Sequence, residues 1–230
     1  MVDVRQVRGG TGLDPINDEL DELLDSVFEN TYQATQAFFA EYDKNPDPLV
    51  LARWLEPRAW RELDYVYLLN EVIRRHAMEF SRKHVTLLMK QSFQEAEHYE
   101  MVGDAIESLG GTTPTSAPKQ AQEWSAWLWE CLDRSPLAAV AAWNLSEHSA
   151  SGSFAPTFEA GERHGFDDVV RIYKRIEADE KFHVGLGRQV LATYAKTDED
   201  REEIVRAMRG MRDIAWKSFT PQSVSAGAAE

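Results

Sequence analysis

The 230-residue sequence contains a single cysteine, Cys131, so it can have neither a disulfide framework nor a metal site built from cysteines. It also lacks an excess of basic residues, because 25 lysines and arginines face 39 acidic residues and the formal charge is −14 at pH 7. Contacts to phosphates need clustered lysine and arginine side chains. The charge therefore disfavours nucleic acid and an anionic membrane surface as partners.

Long apolar runs are absent as well. No stretch approaches the roughly 18 apolar residues that mark a membrane-spanning helix. The first 15 residues contain no apolar segment of the kind found in secretory signals. We therefore expect a protein of the reducing cytoplasm, with no membrane partner. The 43% of hydrophobic residues, which include seven tryptophans, can fill the core of one large domain.

The alternating β-branched pattern of strands is also missing, so the predicted fold class is all-α. Apolar residues at helical spacing begin after Asn17, which we expect to cap the helix, and continue to about Tyr42. A longer helical pattern covers residues 49–109. It is too long for one helix of a compact domain, so we expect a turn near Met78–Ser81, with Ser81 as the next N-cap.

A second helix pair follows in the C-terminal half. Ser135 and Pro136 form a typical N-cap and first helical residue. This helix is expected to run to a turn at Gly161–Gly165, and the next helix to begin at Asp167. A last helix is expected over residues 197–219.

These elements predict a four-helix bundle over about residues 55–196, with additional N- and C-terminal helices. We expect one helical domain over residues 16–219, flanked by flexible tails over residues 1–15 and 220–230. The tryptophan-rich segment at residues 123–129 is expected to be a short helix that packs over the bundle. An aromatic wall of a substrate channel is the alternative.

Two Glu-x-x-His motifs carry the strongest functional signal. Each motif is preceded, 33 residues earlier, by another glutamate. One match alone is a weak signal, whereas two matches at identical spacing, each on an apolar helix face, are a strong one. The six residues are Glu62, Glu95, His98, Glu147, Glu180 and His183.

This pattern suits a site for two metal ions. Residues three apart share one face of a helix, so each glutamate and its histidine project together. Four carboxylates in an apolar bundle would be strongly destabilising without partners, and two divalent cations would balance their charge. Carboxylate and imidazole ligands without thiolates suit iron or manganese.

The region from Pro57 to Lys196 resembles the ferritin-like superfamily of carboxylate-bridged diiron proteins. The resemblance implies that Glu62 and His98 bind mainly one iron and that Glu147 and His183 bind the other, while Glu95 and Glu180 bridge both. It further implies that Asp179, next to a bridging glutamate, holds the far ring nitrogen of a ligand histidine from another helix. A mixed manganese–iron pair fits the same ligands.

The helical additions around the bundle favour an O2-activating diiron oxidase or oxygenase acting on a small, largely apolar organic molecule. Hydroxylation, N-oxygenation, desaturation and aldehyde deformylation stay open as reactions. No flavin or iron–sulfur motif is visible, so the electrons are expected from a separate reductase or ferredoxin, and a homodimer is a further expectation. The alternatives are a ferroxidase or peroxidase of the bacterioferritin or rubrerythrin type, and a metal-stabilised helical interaction protein.

Small residues follow Glu147 by one helical turn. Small side chains beside a metal leave a void that could hold O2 and substrate. Close packing between helices explains the same run equally well. The predicted pocket residues are Ala150, Ser151, Gly152 and Phe154.

Overall fold

A computed structural model describes residues 11–218, which form eight α-helices and no strand. The all-α prediction is confirmed, and the architecture is a ferritin-like four-helix bundle with additional helices around it. The helices are α1 (Asn17–Tyr42), α2 (Pro48–His76), α3 (Arg82–Ser108), α4 (Lys119–Arg134), α5 (Pro136–Ser151), α6 (Phe154–His164), α7 (Asp167–Tyr194) and α8 (Asp198–Ser218).

The bundle consists of two helix pairs. Helix α2 packs against α3, and the consecutive helices α5 and α6 both pack against α7. A 3-10 turn at Ala77–Glu79 joins α2 to α3. The Ser81 hydroxyl accepts a hydrogen bond from the backbone N–H of His84 at 3.1 Å, so the predicted N-cap is confirmed. The Ser135 cap and the first-turn Pro136 of α5 are confirmed in the same way.

Helix α5 is the central element of the fold. Every residue from Leu137 to Glu147 is buried, because α1, α4, α7 and α8 all pack around this helix. Helix α4 carries the tryptophan-rich segment and packs over the bundle as predicted. Its Trp124 is 1% exposed and donates from Nε1 to the Ser146 hydroxyl of α5 at 2.8 Å.

The helix predicted from Ser135 to the glycine turn is broken in the structure. Helix α5 ends at Ser151 and α6 begins at Phe154. Pro156 has no N–H and cannot bond the carbonyl four residues earlier, so the helical ladder is interrupted at this point. Gly165, with φ +72°, then ends α6 at the predicted turn.

The N-terminal end of the domain differs in part from the sequence-based boundary. Asn17 was expected to cap α1, but Ile16 is the N-cap residue, and the Asn17 side chain instead accepts a hydrogen bond from Arg188 at 2.7 Å. Leu13 is fully buried and the Gly12 N–H donates to the Ala192 carbonyl, so residues 11–15 pack on the bundle. Residues 1–10 of the predicted N-terminal tail, the predicted end of the last helix at Phe219 and the predicted tail over residues 220–230 lie outside the described residues.

None of the helices between residues 11 and 218 combines the length and the apolar character needed to cross a bilayer.

Candidate metal centre

The six residues singled out from the sequence converge from four helices on one point in the bundle. Each is 0% or 1% exposed. Helix α2 contributes Glu62, α3 contributes Glu95 and His98, α5 contributes Glu147, and α7 contributes Glu180 and His183.

Each histidine ring nitrogen Nδ1 faces several carboxylates. Nδ1 of His98 lies 3.3 Å from Glu95 Oε2 and 3.6 Å from Glu62 Oε2. Nδ1 of His183 lies 3.1 Å from Glu95 Oε1 and 3.5 Å from Glu180 Oε2. Glu95 thus presents one oxygen to each histidine, which is the position of a carboxylate that could bridge two cations.

Two overlapping groups of side chains have ligand atoms that all lie within 4.8 Å of one another. The first, which we call the arginine side, consists of Glu62, His98 and Glu180. The second, the tryptophan side, consists of Glu147, Glu180 and His183. Glu180 belongs to both sides, so it is the second carboxylate placed where it could bridge. A further group joins Glu95 to both histidines.

Six buried atoms of this cluster have no hydrogen-bond partner. They are Oε2 of Glu62, Glu95, Glu147 and Glu180, and Nδ1 of His98 and His183. Buried polar atoms in native proteins are nearly always paired. One unpaired atom from each of six residues, all directed at one place, makes a cluster that could hold cations. Its oxygen and imidazole donors fit divalent iron or manganese.

The other oxygen of each glutamate is held by a hydrogen-bond donor. Gln91 Nε2 donates to Glu95 Oε1 at 2.9 Å. On the tryptophan side, Trp143 Nε1 donates to Glu147 Oε1 at 2.6 Å, and Gln91 Nε2 lies 3.3 Å from the same oxygen. These donors engage Oε1 and leave Oε2 directed into the cluster, and Oε1 of Glu95 also faces Nδ1 of His183.

Arg58 is the corresponding donor on the arginine side. Its Nε donates to Glu62 Oε1, and its Nη2 donates to Glu180 Oε1 at 2.6 Å. The residue is only 6% exposed. It therefore forms a buried ion pair with two of the candidate ligands at once.

Sequence reasoning missed Arg58, Gln91 and Trp143, although a signal was present. Each lies four residues before a glutamate of the pattern, and side chains four apart share one face of a helix. Glu180 has Ile176 at the equivalent position, and Arg58 from α2 pairs with it across the bundle instead. That last contact could not be read from spacing.

The far ring nitrogens of both histidines have polar partners. Asp179, 8% exposed, places Oδ2 at 3.5 Å from His98 Nε2. Gln94 Oε1 lies 3.3 Å from His183 Nε2, and Gln94 Nε2 donates to Asp179 Oδ1 at 2.5 Å. Asp179 thus faces a histidine from another helix, and Gln94 links it to the second histidine. These contacts direct both Nδ1 atoms into the cluster.

Without a cation, the cluster retains protons. Burial opposes the charged form of His98, but the carboxylates of Glu62 and Glu95 outweigh it and raise the pKa to about 11. For His183, Glu95 and Glu180 outweigh burial in the same way and raise the pKa to about 9. Burial, followed by repulsion from neighbouring carboxylates, raises the pKa of Glu147 well above its ordinary value. A bound metal would displace these protons.

The small-residue run after Glu147 mainly serves packing at Gly152. A Cβ atom on Gly152 would lie 2.4 Å from the Phe28 carbonyl oxygen of α1, so the glycine permits a close approach of two helices. The small residues were expected either to line a pocket or to permit close helix packing, and at Gly152 the structure shows close packing. Ala150 and Ser151 are half-buried at the end of α5, where the Ser151 hydroxyl donates to the Glu147 carbonyl at 3.4 Å.

Phe154, the fourth predicted pocket residue, lies beside the cluster. Its ring centroid is 5.9 Å from the guanidinium carbon of Arg58 and 5.9 Å from the ring centroid of Tyr173. Both aromatic residues are buried, at 3% and 2% exposure. The arginine side is thus bordered by two aromatic rings.

Comparison with known proteins supports the fold. Neither a protein-family model nor a curated protein sequence matches the chain. A crystal structure of a CADD-like protein of unknown function from Nostoc punctiforme PCC 73102 does match, with a TM-score of 0.62 and 14% sequence identity. The match covers 92% of this chain and 96% of that chain. At this identity the likeness establishes the fold alone.

Proposed function

We propose that this chain is an oxidoreductase with a centre of two metal ions, an O2-activating diiron oxidase or oxygenase that acts on a small, largely apolar organic molecule. The observation that carries the proposal is the set of six unpaired buried ligand atoms on four helices. A helical protein stabilised by its fold alone has no need for four carboxylates in its core, because burying them is costly.

Six residues would hold the cofactor: Glu62, Glu95, His98, Glu147, Glu180 and His183. When bound, two iron ions, or a manganese–iron pair, supply the electrons that reduce O2. The protein's own side chains fix the ligands. Arg58, Gln91 and Trp143 each donate to Oε1 of the glutamate one helical turn later in the chain. Asp179 and Gln94 contact the histidine rings.

The surroundings of the cluster would exclude water. Apolar residues of α2, α3 and α7, among them Leu55, Val102 and Ile176, are fully buried next to the ligand helices. A dry site strengthens electrostatic interactions with charge that develops during a reaction. We place the organic substrate next to Phe154, and we assign the supply of electrons to an external reductase or ferredoxin.

Anaerobic titration with Fe²⁺, followed by a pulse of O2, tests this proposal. Wild-type protein is expected to bind two Fe²⁺ per chain and to change its visible absorption transiently after the pulse. Glu95→Gln should lower the stoichiometry or affinity, because Glu95 faces both histidines. Glu100→Gln, at an exposed position of the same helix, is the matched control and should behave as wild type.

The titration also separates the alternative functions. A wild-type chain that binds no Fe²⁺, with Glu95→Gln equal to wild type, would exclude the diiron hypothesis. Continued oxidation of added Fe²⁺ to mineralised iron, independent of any organic molecule, would identify a ferroxidase instead.

A further inference from the structure

Arg58 gives the candidate centre a positive charge of its own. Its guanidinium is buried between two candidate ligands and uses Nε and Nη2 for them. Neither ion pair uses Nη1. The guanidinium also lies against the ring of Phe154. Arg58 is thus a cation beside the metal positions with N–H groups to spare.

The charges of the side chains set the net charge of the centre once two metal ions are bound. Two divalent cations carry four positive charges, and the glutamates Glu62, Glu95, Glu147 and Glu180 carry four negative ones. Histidines that bind a metal are neutral. Arg58, and Arg61 which interacts electrostatically with Arg58 and Glu62, are then positive charges beyond this balance.

Asp179, which contacts the candidate ligand His98, does not supply the missing negative charge. Asp179 is paired with Arg175, whose Nη1 lies 2.7 Å away, so this pair adds no net charge. A buried excess of positive charge costs several kcal/mol. The loaded centre is therefore expected to draw in negative charge from outside.

We propose that the loaded centre binds an anion and that Arg58 recognises it, which assigns to the substrate a carboxylate group on a largely apolar body. This rests on the proposed function, because it takes two divalent cations to be bound. Arginine recognises carboxylates through paired N–H groups, and Nη1 is free to contribute to such a contact. The rings of Phe154 and Tyr173 border the same side and suit an apolar body.

The experiment uses full-length protein loaded with two equivalents of Co²⁺, whose visible absorption reports on its ligands. Formate, benzoate and benzamide are titrated separately. Formate carries the anionic group alone, benzoate adds an apolar body, and benzamide has the body without the charge. The variants are Arg58→Gln, which removes the charge, and Arg58→Lys, which keeps it. Arg74→Gln, at a 71% exposed position of the same helix, is the control.

We expect wild type to bind formate, to bind benzoate more tightly, and to show no response to benzamide. Arg58→Gln should weaken the binding of both anions by about tenfold or more, since a charge-assisted contact is lost. Arg58→Lys should keep most of the affinity, and Arg74→Gln all of it.

Two results would overturn the inference. One is a wild-type protein that holds two Co²⁺ ions but responds to neither anion. The other is equal anion affinity in wild type and Arg58→Gln, which would mean an adventitious anion only. If Arg58→Gln does not fold, the comparison of benzoate with benzamide on wild-type protein still tests the inference. Equal binding of the two would contradict an anion site. Failure of the proposed function looks different, since the wild type would then take up no Co²⁺.

Discussion

The two sides of the candidate centre are built alike but differ in charge. On the tryptophan side, the neutral donors Trp143 and Gln91 hold Glu147. On the arginine side, the cation Arg58 holds Glu62 and Glu180. Trp143 and Arg58 each lie one helical turn before a glutamate that they hold, so this position fixes a carboxylate on both sides. The choice of residue there sets the local charge, which is the basis of the anion site that we propose.

The largest difference between the sides should appear when the donors are removed from metal-free protein. Arg58→Met removes a buried cation that pairs with two carboxylates at once and should lower the free energy of unfolding by about 3–5 kcal/mol. Trp143→Phe removes one neutral donor and should cost about 1–3 kcal/mol. Urea unfolding after chelation measures both values. Equal losses would mean that the charge of Arg58 does not distinguish the sides.

Changes in pH should affect the metal-free and the loaded protein in opposite directions. The raised pKa values of His98 and His183 favour folding fully below about pH 6.5, and this contribution is lost as the pH rises through about 9 to 11. Metal-free protein should therefore become less stable over this range. Because metals displace the same protons, metal affinity should rise by roughly tenfold or more per pH unit between pH 6 and 8.

Thermal unfolding with and without Co²⁺, together with calorimetry at several pH values, checks both trends. The metal-free contribution of Glu147, whose pKa is also raised, has the same sign as that of the histidines. A metal affinity that does not depend on pH would contradict the assignment of these groups as ligands.

Asp179 and Gln94 test whether the histidines of both sides depend on their outer partners. Asp179→Asn should lower metal affinity by about 10- to 100-fold, because it weakens the contact to His98 and disturbs Gln94. Gln94→Leu should act through His183. Calorimetric titration with Co²⁺ measures the change, and Asp168→Asn, exposed on the same helix as Asp179, is the control. Wild-type affinity in both variants would show that the histidines are positioned by packing alone.

The smallest effect on the centre should come from Gly152, which lies against α1. Gly152→Ala should lower the free energy of unfolding by about 1–3 kcal/mol, since its Cβ would meet the Phe28 carbonyl. Metal affinity on both sides should stay at the wild-type value. Gly185→Ala, at a helical position where a Cβ has open space, is the control. A change in metal affinity with unchanged stability would place Gly152 in the site after all.

Much of the fold followed from local patterns. Helix starts at Ser81 and Ser135 depend on side-chain bonds to the next turn, so they are visible in a few consecutive residues. The helix from Ser135 was expected to continue to the glycine turn with a kink at Pro156, whereas the structure ends α5 at Ser151 and begins α6 at Phe154. Asn17 was misassigned because the turn that ends at Ile16 leads directly into α1, and the Asn17 side chain is used by a residue far along the chain.

In the candidate site, too, some features followed from the sequence and others only from the tertiary structure. The sequence by itself determined the six candidate ligands, because i and i+3 share a helix face and the equal 33-residue spacing places both halves at the same height. Only the tertiary structure decided that Arg58 reaches Glu180, that Gln94 connects Asp179 to His183, and that Gly152 faces α1. These contacts join different helices, and their geometry depends on how the helices pack rather than on the period of any one of them.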